Sequence, residues 1–202
     1  MIAIIDYGVG NLFSLASSLK YIGADSKVTN KKKDIIKADK IILPGVGAFE
    51  DASKKLYATG LVDTLLDQAA AGKPLMGICL GMQLLFERSF EYGEFKGLGL
   101  IKGDIVPLAD DIGPEYKIPQ IGWNSLKFTK DDPLFKNIND GDYVYFVHGF
   151  YARPGEQTAA TVEYGTDVTA VVRNGNVCGT QFHPEKSGKV GLGILKAFSE
   201  EK

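Results

Sequence analysis

The chain opens on four consecutive apolar positions, Ile2 to Ile5, closed by Asp6-Tyr7-Gly8; Leu12, Leu15, Leu19 and Ile22 then recur on one face of a 3.6-residue helix. Strand then helix is the first unit, and the alternation returns downstream. It gives a strand at Lys27-Val28-Thr29, a helix over Lys32 to Asp39, a strand over Lys40 to Leu43, a long helical region over Ala48 to Ala71 and a strand over Leu75 to Ile78. Strands that alternate with helices need right-handed crossovers, so the first half predicts an α/β fold with a mainly parallel central sheet and helices on both faces. After about residue 97 the pattern becomes short alternating runs: Gly103 to Leu108, Trp123 to Thr129, Tyr143 to Val147, Thr158 to Tyr164 and Val168 to Arg173. Asn174-Gly175 ahead of Val177 is a two-residue hairpin signal, so the second half reads as largely antiparallel, closed by a helix over Gly188 to Phe198. No repeat, low-complexity tract or Pro/Ser-rich linker interrupts this order, and one domain over residues 1–202 is expected.

Composition narrows the function classes. A domain of 202 residues buries roughly 70% of its unfolded surface, and 45% hydrophobic with 24% charged residues is the globular average. Basic and acidic residues nearly balance, 23 against 25, and only three arginines are present, which argues against a nucleic-acid partner. Lys31-Lys32-Lys33 is too short for a polyanion patch and reads as a solvated helix start. The most apolar stretch, Pro74 to Phe86, is interrupted by Gly77, Gly81 and Gln83 and falls short of the ~20 residues of a membrane span. Two cysteines are too few for a disulfide scaffold and the first residues lack a basic leader, so a cytoplasmic protein is expected. Gly8-Val9-Gly10 starts like a dinucleotide fingerprint but has Phe13 where the third glycine belongs. No phosphate loop appears, and two histidines with two dissimilar cysteines make no zinc set, so neither cofactor nor metal is expected.

Three segments carry candidate chemistry. Gly77-Ile78-Cys79-Leu80-Gly81 joins the apolar strand to a helix continuing through Met82, Leu84, Leu85 and Phe86: the cysteine form of a strand-to-helix nucleophile elbow. A sulfur there meets the positive end of the helix dipole, which favours thiolate, and the N–H of Leu80 is a candidate oxyanion donor. A lone Gly-x-Cys-x-Gly describes a buried structural cysteine equally well; Cys178, inside an apolar strand run, is assigned to the core. In His183-Pro184-Glu185, proline pushes His183 into the extended region, where residues two apart share a side and Glu185 can orient the imidazole. The only other histidine, His148, sits among Tyr145, Phe146 and Phe150 with no carboxylate two residues on, and is read as a site wall or core residue. Finally, the strand before Pro44-Gly45-Val46-Gly47 ends in a turn where Val46 or Gly47 can supply a second oxyanion donor.

Gly77 to Gln83 followed, 104 residues after Cys79, by His183-Pro184-Glu185 resembles the class I (triad) glutamine amidotransferases. Asp6 to Leu12, Pro44 to Phe49, Gly122-Trp123-Asn124, Tyr145 to His148 and Gln181 to Ser187 look like signatures of one branch, in order across residues 1 to 198. That branch comprises the glutaminase subunits serving a (β/α)8 cyclase of histidine biosynthesis. The resemblance implies a flavodoxin-like fold and L-glutamine as substrate. It implies a Cys79-His183-Glu185 triad, oxyanion donors at Val46, Gly47 and Leu80, and substrate contacts from Gln83, with Glu91 and His148 as lesser neighbours. It also implies that Asn11, Trp123, Tyr145 and Lys186 face the cyclase in a heterodimer, with no nucleic acid or membrane involved. Gly149 stands where Ser or Thr is expected and Phe90 where a polar residue is common. The alternatives are another subunit of the class, such as one serving vitamin B6 synthesis, which usually carries Gly-Gly-Glu-Ser in place of Pro44 to Gly47, and a non-catalytic flavodoxin-like module.

Overall fold

The computed structural model describes residues 1–201. Its elements run β1 (Ile2–Ile5), α1 (Leu12–Tyr21), β2 (Ser26–Thr29), α2 (Lys32–Lys37), β3 (Lys40–Gly45), α3 (Phe49–Ala58), α4 (Val62–Ala70), β4 (Leu75–Cys79) and α5 (Leu80–Leu84). After these come β5 (Arg88–Ser89), β6 (Phe95–Lys96), β7 (Asp104–Pro107), β8 (Gln120–Ser125), β9 (Lys127–Phe128), β10 (Tyr143–His148) and β11 (Phe150–Ala152). The chain finishes with β12 (Thr158–Glu163), β13 (Asp167–Asn174), β14 (Val177–Thr180) and α6 (Gly188–Glu200).

Eight strands form the central sheet in the order β2-β1-β3-β4-β14-β13-β12-β9. It is parallel from β2 across to β14 and antiparallel from β14 outward, so the change of direction seen in the sequence falls inside one sheet. Successive strand residues feed opposite cores. Ile4, Ile42, Met76 and Ile78 pack with Leu15 and Leu19 of α1 and Ile194, Leu195 and Phe198 of α6. Ile5, Ile41, Leu43 and Leu75 pack with Phe49, Leu56, Val62 and Leu65 of α3 and α4. Two smaller sheets complete the fold, the ribbon β10-β8 and the sheet β11-β7-β5-β6. Among the described residues no helix is long and apolar enough to cross a membrane.

Several expected elements differ in detail. The helical region over Ala48 to Ala71 is two helices, broken where Gly60 takes φ +67° and the Thr59 hydroxyl donates to Leu56 O while accepting from Leu61 N. The hairpin between β13 and β14 turns one residue later than expected: Asn174 pairs with Val177, and Gly175-Asn176 is the loop. Its register is fixed by Asn176, whose side chain donates to Ala69 O and Lys73 O. The run Trp123 to Thr129 divides between β8 and β9, which belong to different sheets. Helix α5 stops at Leu84, and β5, β6 and β11 are too short to carry a period.

Candidate active site

Cys79 ends β4 and precedes the first residue of α5. Its φ of 53° and ψ of −113° lie in a region that costs a non-glycine residue free energy, and the packing around it holds it there. The flanking glycines are steric requirements of that packing. A Cβ on Gly77 would sit 2.6 Å from Gly81 O, and one on Gly81 would sit 1.9 Å from Leu43 O. Gly45, at the end of β3, is under the same constraint, 2.7 Å from Gly81 N. Strand, elbow and helix therefore meet with backbone against backbone, and Cys79 and Leu80 reach the wall of a cavity of about 570 Å³.

His183 lines the same cavity and is 2% exposed. Its Nδ1 is 2.8 Å from Glu185 Oε1, leaving Nε2 to face Cys79. The expected pairing is present by a different geometry: His183 is extended, φ −97° and ψ 99°, while Glu185 lies in a short 3₁₀ turn, Pro184–Lys186, instead of a continuing extended chain. Burial disfavours the imidazolium, but hydrogen bonds and charge attraction from Cys79 and Glu185 outweigh it and raise His183 to about 9. Ribbon strand β10 holds the segment, since His183 N donates to Tyr145 O, Tyr145 N donates to Ser187 Oγ and that hydroxyl donates to His183 O. A sulfur beside an imidazolium, at a helix N-terminus in the wall of a cavity, is equipped for nucleophilic attack on a carbonyl.

The other histidine has the opposite environment. His148 is buried, and Nδ1 lies 3.0 Å from Phe150 O; that contact requires the proton on Nδ1 and leaves Nε2 an unpartnered acceptor at the cavity wall. Burial lowers it to about 4, with His183 adding to the effect and the Phe150 carbonyl opposing it, so it is neutral at pH 7.

The remaining expected residues fall around the same space. Val46 and Gly47 line the cavity, Gly47 at φ +98°, and the Tyr7 hydroxyl donates to Pro44 O at 2.7 Å, fixing the start of that turn. Glu91, beyond β5, accepts from Phe49 N at 2.7 Å at the start of α3, and burial raises its carboxyl above the usual range. Gln83 donates from Nε2 to Phe150 O at 2.9 Å and to Gln181 Oε1 at 3.0 Å. Asn11 and Lys186 lie at the cavity wall, and Asn11 also caps α1 by accepting from Ser14 N. Lys186 Nζ stands 6.0 Å over the Tyr145 ring, which meets Trp123 edge-on at 6.0 Å. Two residues were not singled out from the sequence: Tyr7, and Gln181, whose Nε2 lies 3.7 Å from Cys79 Sγ. The alternation Thr180-Gln181-Phe182-His183 leaves a polar side chain in a fully buried run, the signal that could have drawn attention to Gln181. Among the described residues no group of His, Cys, Asp and Glu could hold a metal ion.

A family model described as glutamine amidotransferase class-I matches residues 3–200. The chain belongs to the class I glutamine amidotransferases. As an amidotransferase it is 51% identical over 202 residues to "Imidazole glycerol phosphate synthase subunit HisH" of Caldanaerobacter subterraneus subsp. tengcongensis, covering 99% of this chain and 98% of that one. It is 48% identical to the protein of the same name from Listeria monocytogenes, covering 99% and 95%. Among solved structures, this amidotransferase superposes on "Crystal structure of glutamine amidotransferase" with a TM-score of 0.75 at 20% identity, covering 98% and 99%. It superposes on "Structure of PurLQS from Thermotoga maritima" with the same TM-score at 21% identity, covering 98% and 96%. At those identities the superpositions show the class I amidotransferase fold, while the near full-length relatives group the chain with the HisH subunits.

Proposed function

We propose that residues 1–202 form one glutaminase domain, the cytoplasmic glutaminase subunit of imidazole glycerol phosphate synthase, with Cys79, His183 and Glu185 as its triad. The observation that carries the residue roles is the strained elbow at Cys79 set against the buried His183-Glu185 pair in one cavity. Cys79 Sγ attacks the carboxamide carbon of glutamine, and the N–H of Leu80 with those of Val46 and Gly47 receive the charge on the carbonyl oxygen. His183, protonated at neutral pH, gives its proton to the departing nitrogen; ammonia leaves and a γ-glutamyl thioester remains. His183 then takes a proton from water, the hydroxide adds to the thioester carbon, and glutamate departs as the sulfur is regenerated. Glu185 keeps the imidazole in the correct tautomer throughout. Both Nε2 hydrogens of Gln83 are committed, so that side chain offers the substrate its Oε1. The acceptor His148 Nε2 and the Glu91 carboxylate stand on the remaining walls.

Ammonia that escapes into neutral water is protonated and no longer nucleophilic, so this reaction calls for a synthase at the cavity mouth. Ribbon β8-β10 supports a (β/α)8 cyclase there. Its inner face, with Val144, Phe146 and His148, is buried, whereas Ile121, Trp123 and Tyr143 are more than half exposed on the outer one beside Tyr145. Val147 of that outer face lines the cavity, and Lys186 over Tyr145 joins the two regions, so one partner can cover both.

The test is the assembled pair. Cys79→Ala is expected to abolish glutamine-dependent synthesis while ammonia-dependent synthesis by the cyclase persists, and a glutamine-mimicking electrophile is expected to label Cys79. Retained glutamine hydrolysis by the variant, or high turnover by the chain without its partner, contradicts the reading.

A further inference from the structure

Gln181 is fully buried between β14 and His183, and each end of its amide has a determined direction. The carbonyl oxygen of Phe150 can only accept. Gln83 therefore presents its nitrogen, Nε2, to Phe150 O at 2.9 Å, and the same nitrogen lies 3.0 Å from the Gln181 amide. A donor there requires an acceptor, so Gln181 turns Oε1 toward Gln83 and is left with Nε2 toward Cys79 Sγ, at 3.7 Å. His148 Nδ1 donates to the same Phe150 carbonyl at 3.0 Å, which fixes the anchor from a second side.

We propose that Gln181 is a positioning residue for the nucleophile: the chain Phe150-Gln83-Gln181 holds an amide N–H on Cys79 Sγ, favouring the thiolate and fixing the direction of attack. A thiolate is a strong acceptor and a thiol a weak one, so a donor held at this place by two further hydrogen bonds acts mainly on the charged form. His183 and Gln181 have separate tasks, since the imidazolium moves a proton during the reaction and the amide moves none. Gln181 touches the sulfur from within the protein, and its orientation is set by Gln83, which faces the cavity.

This inference rests on Cys79 being the nucleophile, and its test is separable from that reading. Iodoacetamide alkylation of Cys79 in the full chain, followed by mass spectrometry of its peptide across pH, needs no glutamine turnover. Gln181→Met keeps the length and removes the donor; the alkylation profile should move to higher pH by about one unit, and kcat for glutamine should fall about tenfold with KM little changed. Gln181→Glu keeps the acceptor for Gln83 but sets a carboxylate against the sulfur, and the profile should move further in the same direction. An unmoved profile in a folded Gln181→Met variant overturns the proposal. If neither variant folds, nitrogen-15 NMR of the unsubstituted protein decides. The Gln181 side-chain amide should shift with pH at the midpoint of alkylation, and an amide that stays fixed overturns the proposal. Glutamine hydrolysis surviving in Cys79→Ala would instead strike at the nucleophile itself.

Discussion

A methyl group on residue 81 has no room: its Cβ would lie 1.9 Å from Leu43 O, a backbone atom in the middle of the sheet. Gly81→Ala must therefore part β3 from α5, and urea denaturation should show a loss of at least about 3 kcal/mol, or no folded protein. Gly149 provides the contrast. A Cβ there meets Ile118 Cγ2 at 3.5 Å, an ordinary contact, and its φ is not in the left-handed region, so Gly149→Ala should change stability by no more than about 0.5 kcal/mol in the same measurement. The elbow glycines were legible in the sequence because steric exclusion of a side chain leaves glycine at fixed spacing. Gln181 was not, because its meaning depends on Gln83 and Phe150, which are 98 and 31 positions away in the chain.

Elements are held by contacts that their own sequences do not contain. Helix α5 has five residues, too few to be stable alone, and all five are buried under β3, β4 and β14. At the far side of the sheet, Arg173 of β13 bonds both oxygens of Asp132 at 2.6 and 2.9 Å and also pairs with Glu201 beyond α6. Asp132 meanwhile accepts from Leu134 N and so caps the 3₁₀ turn Pro133–Asn137. Removing Asp132 takes two hydrogen bonds from a mostly buried guanidinium, leaves it paired with Glu201 alone and uncaps the turn, so Asp132→Ala is expected to cost about 2 kcal/mol by urea denaturation. The alternation of strand and helix was readable over the first 80 residues because each face there has one environment. The break at Gly60 and the late hairpin turn were not, since the first depends on a left-handed residue and the second on Asn176 reaching one carbonyl in the last turn of α4 and one just beyond it.

At the scale of the whole molecule the two histidines give stability opposite dependences on pH. His183 is raised on folding, from an ordinary 6.5 to about 9, so its contribution is complete below 6.5 and is lost as the pH rises through about 9. His148 is lowered, so its contribution is complete above 6.5 and is lost as the pH falls toward about 4, at up to about 1.4 kcal/mol per unit. Urea denaturation from pH 4.5 to 9 should give a maximum near neutrality, with the acid side flattened in His148→Asn and the alkaline side flattened in His183→Asn; unchanged slopes would remove the assignment. That His183, and not His148, pairs with a carboxylate was already indicated by the sequence, because a carboxylate two residues away and a preceding apolar strand are local features. The same holds for the parallel half of the sheet and for the elbow, which follow from short-range periodicity and sterics. Only the tertiary structure decided that Glu185 reaches His183 from a 3₁₀ turn, that Gln83 spends its donors inside the protein and that an apolar ribbon opens beside the cavity. Those facts depend on distances between segments remote in sequence, and a hydrogen bond is set by where its two ends meet in space, which no spacing along the chain records.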